Sequence, residues 1–464
     1  MPSLRILLLT FNCARNFVDP EILATDILDA IPETPTSKAS RIIPDVIAVS
    51  LQEVAPIAYA FLGGPYLTPY LARVGAAVHL ASERYAETHQ ERQTDNVAPE
   101  DWIYTNVITK NVGLTALMIF ARRKVADSIC WITWGSAGVG VGGMGNKGAV
   151  GIRLGFDAVK VKQSVKDWDE DSGVSVLEVT FVAVHLAPNA GNVERRNQDW
   201  ENIVRNLVFL PEEAFVPNTD EPFGIAKDTP RPKLNFSIYG KNDSSETSAA
   251  LHFVFGDLNY RTGDEDPDPD SYMAFPQPTQ DISSLLHYSR LLTKDQLNAE
   301  RAENRTLHSF EELDVTFPPT YKYDPNQHWP GYENGLRVPN TTGWLWEATR
   351  WPSWCDRILF LPQEPLTVEK YVSLPVQPTS DHRPVALSAT VNLSKTLGKA
   401  MEVQEGPFPL NPDWEGRRRD ARMKEVVVGG LSWFVLTTEG RIWFSGLTIG
   451  GLATLFAIIA LLKV

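Results

Sequence analysis

The sequence predicts an α+β layered sandwich with one membrane-spanning helix at its C-terminal end. Three observations predict it. Short β-branched runs recur at residues 45–51, 178–185, 251–255, 357–360 and 385–393, separated by helical or irregular stretches. The 464 residues, 43% hydrophobic and 10% aromatic, suffice for one large core and an appendage. Residues 442–462 are uncharged and overwhelmingly apolar, enough to cross roughly 30 Å of hydrocarbon as a helix.

The elements follow in order. Residues 4–10, LRILLLT, read as a buried first strand: the apolar run is shorter than a signal-peptide core and no small-residue cleavage site follows it. Stretches around 167–172, 211–248 and 263–278 are polar and read as surface insertions. The body is expected to span residues 1–393. Residues 394–425 read as a linker, since 394–420 are rich in charge, Gly and Pro and lack clear periodicity. The membrane tail is then 426–464, in which 426–438 are apolar but too short to span and are expected to lie in the interface or pack on the anchor.

Only Lys463 and Val464 follow the span, so it reads as a tail anchor. Arg417, Arg418, Arg419, Arg422 and Lys424 precede it, and the positive-inside rule places the body in the cytosol. These cations either touch anionic headgroups or are a solvated linker run. The formal net charge of -14 argues against nucleic-acid binding, which needs a basic face. The three cysteines, Cys13, Cys130 and Cys355, show neither a disulfide framework nor a zinc pattern, which suits a reducing compartment.

Candidate chemistry sits in short segments at predicted strand ends: Asn12, Glu53, His185, Asp257, Asn259, Asp356, Asp381 and His382. Magnesium prefers oxygen ligands, which Glu53, Asp381 and Asn12 supply. Hydrolysis of a phosphate ester needs an oriented water and donors around the phosphate oxygens, and Asp257, Asn259, His185 and His382 are groups of that kind. Each alone has a plainer explanation as a turn, cap or hydrogen-bonding residue. Residues 138–148, GVGVGGMGNKG, are either a phosphate cradle or a flexible hairpin; they are not a Walker motif, but Lys147 can pair with a phosphate. Further cations and donors are Arg195, Arg196, Tyr321, Lys322, Arg350 and Arg357.

Taken together, SLQEV, GNKGAV, HLAPNAGNVERRNQDW, FVFGDLNYRT, PPTYKYD, RWPSWCDRILF and SDHRPV stand in the order seen in inositol polyphosphate 5-phosphatases, over roughly residues 4–393. The chain resembles that family within the DNase-I-like superfamily. The resemblance implies a four-layer α/β/β/α sandwich with its active site at one end. It implies that Glu53 binds Mg2+ with Asn12 close by, that Asp257 and Asn259 orient the water and phosphate, and that Asp381 and His382 complete the centre. Asp356 would fix the His382 tautomer and His185 would donate to the phosphate. Whether Asp257 or His382 takes the water's proton stays open. Lys147, Arg196, Asn197, Tyr321, Lys322 and Arg350 match positions that meet the inositol phosphates. Two departures are Phe11, where the family commonly has tryptophan, and Asn189, where it has a second histidine; Asn189 cannot become cationic.

The anchor favours a lipid substrate, because it confines the body to a surface. Phosphatidylinositol 4,5-bisphosphate is the expected substrate, and the body otherwise resembles short fungal enzymes with a phosphatase domain and a hydrophobic tail; with only Lys463 charged beyond the span, the endoplasmic reticulum membrane is the expected location. The alternatives are another superfamily phosphodiesterase, such as a neutral sphingomyelinase or an abasic-site endonuclease, and a catalytically silent phosphoinositide-binding tether.

Overall fold

The computed structural model describes residues 3–34, 37–90, 103–157, 176–212, 237–239, 249–324, 332–333, 336–337, 343–362, 366–393 and 406–462. The expected insertion at 167–172, most of that at 211–248 and the first part of the linker lie outside them. The strands are β1 (Ser3–Asn12), β2 (Glu33–Thr34), β3 (Ser37–Arg41), β4 (Val46–Gln52), β5 (Tyr104–Val112), β6 (Thr115–Arg122), β7 (Ile129–Gly138), β8 (Gly148–Asp157), β9 (Val176–His185), β10 (Leu210–Pro211), β11 (Ala249–Asp257), β12 (Tyr332–Glu333), β13 (Leu336–Arg337), β14 (Asp356–Phe360), β15 (Leu366–Ser373) and β16 (Val385–Asn392). Two six-stranded sheets form the body, ordered β15-β16-β1-β4-β6-β5 and β10-β7-β8-β9-β11-β14.

Alternation along β1 shows why these runs are apolar without interruption. Leu4, Ile6 and Leu8 face the second sheet, where they join Ile152, Phe181 and Phe253 in the core between the sheets. Leu7, Leu9 and Phe11 point the other way, into a core shared with helices α1 (Pro20–Ala30), α2 (Ile57–Leu62) and α3 (Thr68–Gln90). A strand buried on both faces carries no polar alternation. After the short helix α4 (Arg123–Ala126), helix α5 (Val193–Asn206) covers the outer face of the second sheet, with Trp200, Ile203 and Val204 packed on Val182, Val184 and Val254. The expected α/β/β/α layering is therefore present. Two short helices, α6 (Ser289–Leu292) and α7 (Gln296–Ala302), lie beyond it in the chain.

The C-terminal part departs from expectation. The chain is not an extended tether up to residue 425: helix α8 (Trp414–Leu436) runs through the expected linker boundary. Its buried residues Ala421, Glu425 and Gly429 recur every fourth position, and this stripe of small and acidic residues lies against α2. A side chain at Gly429 would meet the Phe61 Cβ at 2.9 Å, so only glycine admits that approach. The basic residues are not simply solvated. Arg422 donates to the Phe61 and Leu62 carbonyls that end α2, at 2.6 and 3.1 Å, and Arg418 to the Val208 carbonyl at 3.1 Å. Helix α9 (Thr438–Leu462) follows, and its segment Thr438–Ile459 is long and apolar enough to cross a membrane, with residues 441–459 unburied by the rest of the protein.

Candidate active site

The two sheets end together, and strand register sets the site. Asp257 at the end of β11 pairs with His185 at the end of β9 on one side and with Asp356 at the start of β14 on the other. Gly148 pairs with His185, which places Lys147 one residue beyond the same row. Gly256 is required before Asp257, because a Cβ there would strike the Val184 carbonyl. From the first sheet, β1 ends at Asn12 beside Gln52 of β4, and Glu53 follows in the left-handed region at φ 45°. Asp381 and His382 precede β16, whose Val385 pairs with Thr10 of β1.

Side chains then join the sheets. Asn12 Nδ2 donates to Asp257 Oδ2 at 2.9 Å, while the Asn259 amide donates to Asp257 Oδ1 at 3.0 Å. The Nε2 of His185 lies 3.3 Å from Asp257 Oδ2 and also meets the Lys147 ammonium. On the opposite side His382 Nδ1 bonds Asp356 Oδ2 at 2.8 Å, and the buried Asp356 Oδ1 has no partner among the described residues. Ser380 Oγ ties this loop to the Asn12 carbonyl at 2.6 Å and accepts the His382 amide at 3.0 Å. The Tyr321 ring packs on His382, with centroids 4.7 Å apart, and the Arg261 guanidinium lies over the Tyr321 ring at 4.2 Å.

Charge decides protonation here. Burial opposes the ionised form of Asp257, but the His185 hydrogen bond and the His382, His185 and Lys147 charges outweigh it and hold the carboxyl well below its usual range. Glu53 is likewise held low against burial, by His185, Lys147 and Arg15. His185 is pushed down by burial and by Lys147, whereas Asp356 overcomes burial and pushes His382 up. Burial lowers Lys147, with Asp257 and Glu53 opposing.

The ionised, oxygen-rich set fits a hard divalent cation. Glu53 is partly exposed, with Lys147 Nζ 3.7 Å from one oxygen and Arg15 Nε 2.9 Å from the other. The acidic and histidine atoms that converge within 4.8 Å of one another belong to Asp257, Asp356 and His382, so Glu53 and Asp381 of the expected metal set stand outside that group.

Not every expected ligand-binding residue offers a donor to a ligand. Arg196 is fully buried and donates to the Ala187, Asn189 and Ala190 carbonyls and to Gln296, while Asn197 bonds Glu300 and Tyr260. Both are engaged by protein partners here. Lys322 lies 3.9 Å from Asp381 and from Glu347, and Arg350 pairs with Asp266 at 3.1 Å. Asn189, at φ 74°, gives its carbonyl to Arg196. Sequence reasoning missed Arg261: it sits in the GDLNYR segment, but only the fold shows it donating to Asn259 Oδ1 and stacking on Tyr321.

Residues 9–388 match the profile of Endonuclease/Exonuclease/phosphatase family 2. The chain is 24% identical over 384 residues to type II inositol polyphosphate 5-phosphatase 14 of Arabidopsis thaliana, covering 78% of this chain and 29% of that one. It is 26% identical over 351 residues to a probable inositol polyphosphate 5-phosphatase of Schizosaccharomyces pombe, covering 74% and 25%. With phosphatidylinositol 3,4,5-trisphosphate 5-phosphatase 1 of Homo sapiens it shares 26% over 317 residues, covering 63% and 21%. The match thus spans 21 to 29% of the length of these relatives. Among solved structures, the inositol polyphosphate 5-phosphatase domain of spSynaptojanin, in complex with inositol (1,4)-bisphosphate and a calcium ion, superimposes with a TM-score of 0.52 at 21% identity, covering 85% of this chain and 87% of that one. The likeness is one of fold.

Proposed function

The chain belongs to Endonuclease/Exonuclease/phosphatase family 2, and on that premise we propose that it is a Mg2+-dependent phosphatase that removes the 5-phosphate of phosphatidylinositol 4,5-bisphosphate, leaving phosphatidylinositol 4-phosphate. One observation carries this reading: Asp257, fixed by Asn12, Asn259 and His185, converges to within 4.8 Å with Asp356 and His382, which bond each other. The relatives named as inositol polyphosphate 5-phosphatases support the choice of substrate class.

Glu53, with Asn12 and Asp381, would hold the magnesium ion, whose charge favours the build-up of negative charge on phosphate oxygens. Asp257 orients the water and accepts its proton, which only its ionised form can do, although a carboxyl held this low is a weak base. The water oxygen attacks phosphorus, the bond from phosphorus to the ring oxygen breaks, and the inositol oxygen leaves as the hydroxyl after taking a proton from solvent, to which Asp257 later returns the one it accepted. His382 and His185 donate to the phosphate oxygens, and Asn259 holds the loop between them. Lys147, Tyr321, Lys322 and Arg350 meet the phosphates of the headgroup, the last three on the 4-phosphate. Helix α9 anchors the body to the cytosolic face of the endoplasmic reticulum membrane, with no nucleic acid involved.

The test is phosphate release by the full chain in vesicles carrying phosphatidylinositol 4,5-bisphosphate, with magnesium or with chelator, beside Asp257→Ala. Truncation at residue 420 is avoided because it would cut α8. Magnesium-dependent release that the variant abolishes supports the reading. Cleavage of sphingomyelin instead would indicate the phosphodiesterase, and headgroup binding without turnover the tether.

A further inference from the structure

A second basic site lies outside the catalytic centre. A cavity of about 680 Å³ separates α8 from the glycine-rich hairpin that joins β7 to β8, and Arg195, Arg417, Arg418, Arg422 and Lys424 line it together with Trp414. Its acidic lining is Asp420 and Glu425, so cations outnumber carboxylates in a chain whose formal net charge is -14. Glu425 is already engaged, accepting from the Gly145 amide at 2.8 Å and from Arg422 at 3.2 Å. Carbonyls orient two of the cations without neutralising them, Arg418 at Val208 and Lys424 at Gly142, whereas Arg195 donates to the Val139 carbonyl and also pairs with Asp199 at 2.9 Å. Arg418 also stacks on Trp414 at 4.7 Å, and its Nε is buried with no partner among the described residues. Cations gathered this closely are stabilised by a phosphate group, which accepts charge-assisted hydrogen bonds from several of them at once. None of the residues assigned to catalysis lines the cavity.

We infer that this cavity is a second anion site, which takes a phosphate group between the juxtamembrane helix and the glycine-rich hairpin. The inference goes beyond the catalytic reading, although a membrane source for the phosphate rests on α9 as the anchor. Helix α8 leads into α9 through Thr437 alone, so the site belongs to the segment next to the proposed bilayer. The same hairpin ends at Lys147, so an occupied cavity braces a loop that reaches the catalytic row.

The experiment uses the full chain carrying Asp257→Ala, so that turnover plays no part, in phosphatidylcholine nanodiscs. Amide exchange of residues 138–145 and 414–425 is followed on adding inorganic phosphate, and separately in nanodiscs that contain phosphatidylinositol 4-phosphate. Slower exchange of both segments in either arm is expected; the phosphate arm alone would identify a free anion, the lipid arm a headgroup. The double variant Arg417→Gln/Lys424→Gln, at exposed positions that leave the core intact, is expected to weaken the effect roughly tenfold in ligand concentration. Arg419→Gln removes charge from the same helix but does not line the cavity, and is expected to respond as the parent does. No protection in either arm, or equal loss with Arg419→Gln, would overturn the inference. Because every sample lacks Asp257, failure here is separable from failure of the phosphatase reading.

Discussion

His185 and His382 are both buried, each beside a carboxylate, yet their protonation is driven in opposite directions. The carboxylate next to His185 is shared: Asp257 also accepts from Asn12 and from the Asn259 amide, and the Lys147 ammonium stands at the same Nε2. The charged partner of Asp356 is His382, and the Thr320 hydroxyl lies beside it, accepting from the Asp356 amide at 3.2 Å. Burial is common to the two imidazoles, so it cannot separate them. The charges around each push His185 toward its neutral form and His382 toward its cationic form.

The group that joins the two sides is Asp257, and its loss gives the largest expected effect. Asp257→Ala should lower kcat by about 10³-fold or more with the fold retained, as for a group acting on the transition state; kcat within a few fold of the parent would refute the assignment. Asp356→Asn breaks the comparison from one side, and a drop of roughly 10²-fold to 10³-fold is expected by analogy with orienting carboxylates elsewhere. It also shifts the pH profile. His382 has its folded value raised, so its cationic form is present below that value and lost as pH rises through it; without Asp356 the alkaline limb should move to lower pH. A stationary limb would remove His382 from the mechanism. Lys147→Met relieves the other side: about a tenfold rise in KM is expected, together with an upward move of the His185 titration seen by NMR.

A third histidine sharpens the comparison from outside the site. Burial and then Arg153 push His252 down from its ordinary value to about 3. A folded value below the unfolded one contributes stability that is present above pH 6.5 and is lost as pH falls toward about 3. Between pH 7 and 5.5 this loss should reach about 1 kcal/mol in urea unfolding, and His252→Phe should flatten that dependence. An unchanged slope in the variant would assign the acid sensitivity to other groups.

Much of the fold was legible. Residues 4–10, 45–51 and 385–393 fall within or nearly match β1, β4 and β16, because strands buried on both faces leave a continuous apolar run. Asp257, His185 and Asp356 were legible as candidates, since acidic and imidazole groups at strand ends are the raw material of such a centre. For Arg196 and Asn197 the letters gave the residue types but not their partners, because nothing in a chain of letters foretells an arginine that holds three carbonyls. Helix α8 escaped notice for a related reason. Its contact stripe is Ala421, Glu425 and Gly429, which lacks the large apolar residues that make helical periodicity visible.

The sequence by itself determined the layered class, the apolar span now seen as Thr438–Ile459, and the chemical inventory of the centre. These depend on composition and local spacing, which one strand or helix carries alone. Tertiary structure decided which groups share charge: the row from Lys147 through His185 and Asp257 to Asp356 exists only through strand register, and the basic cavity exists only because α8 folds back onto α2 and the hairpin. Electrostatic coupling falls off over a few ångströms and takes no account of distance along the chain, so it is fixed only when the chain has folded.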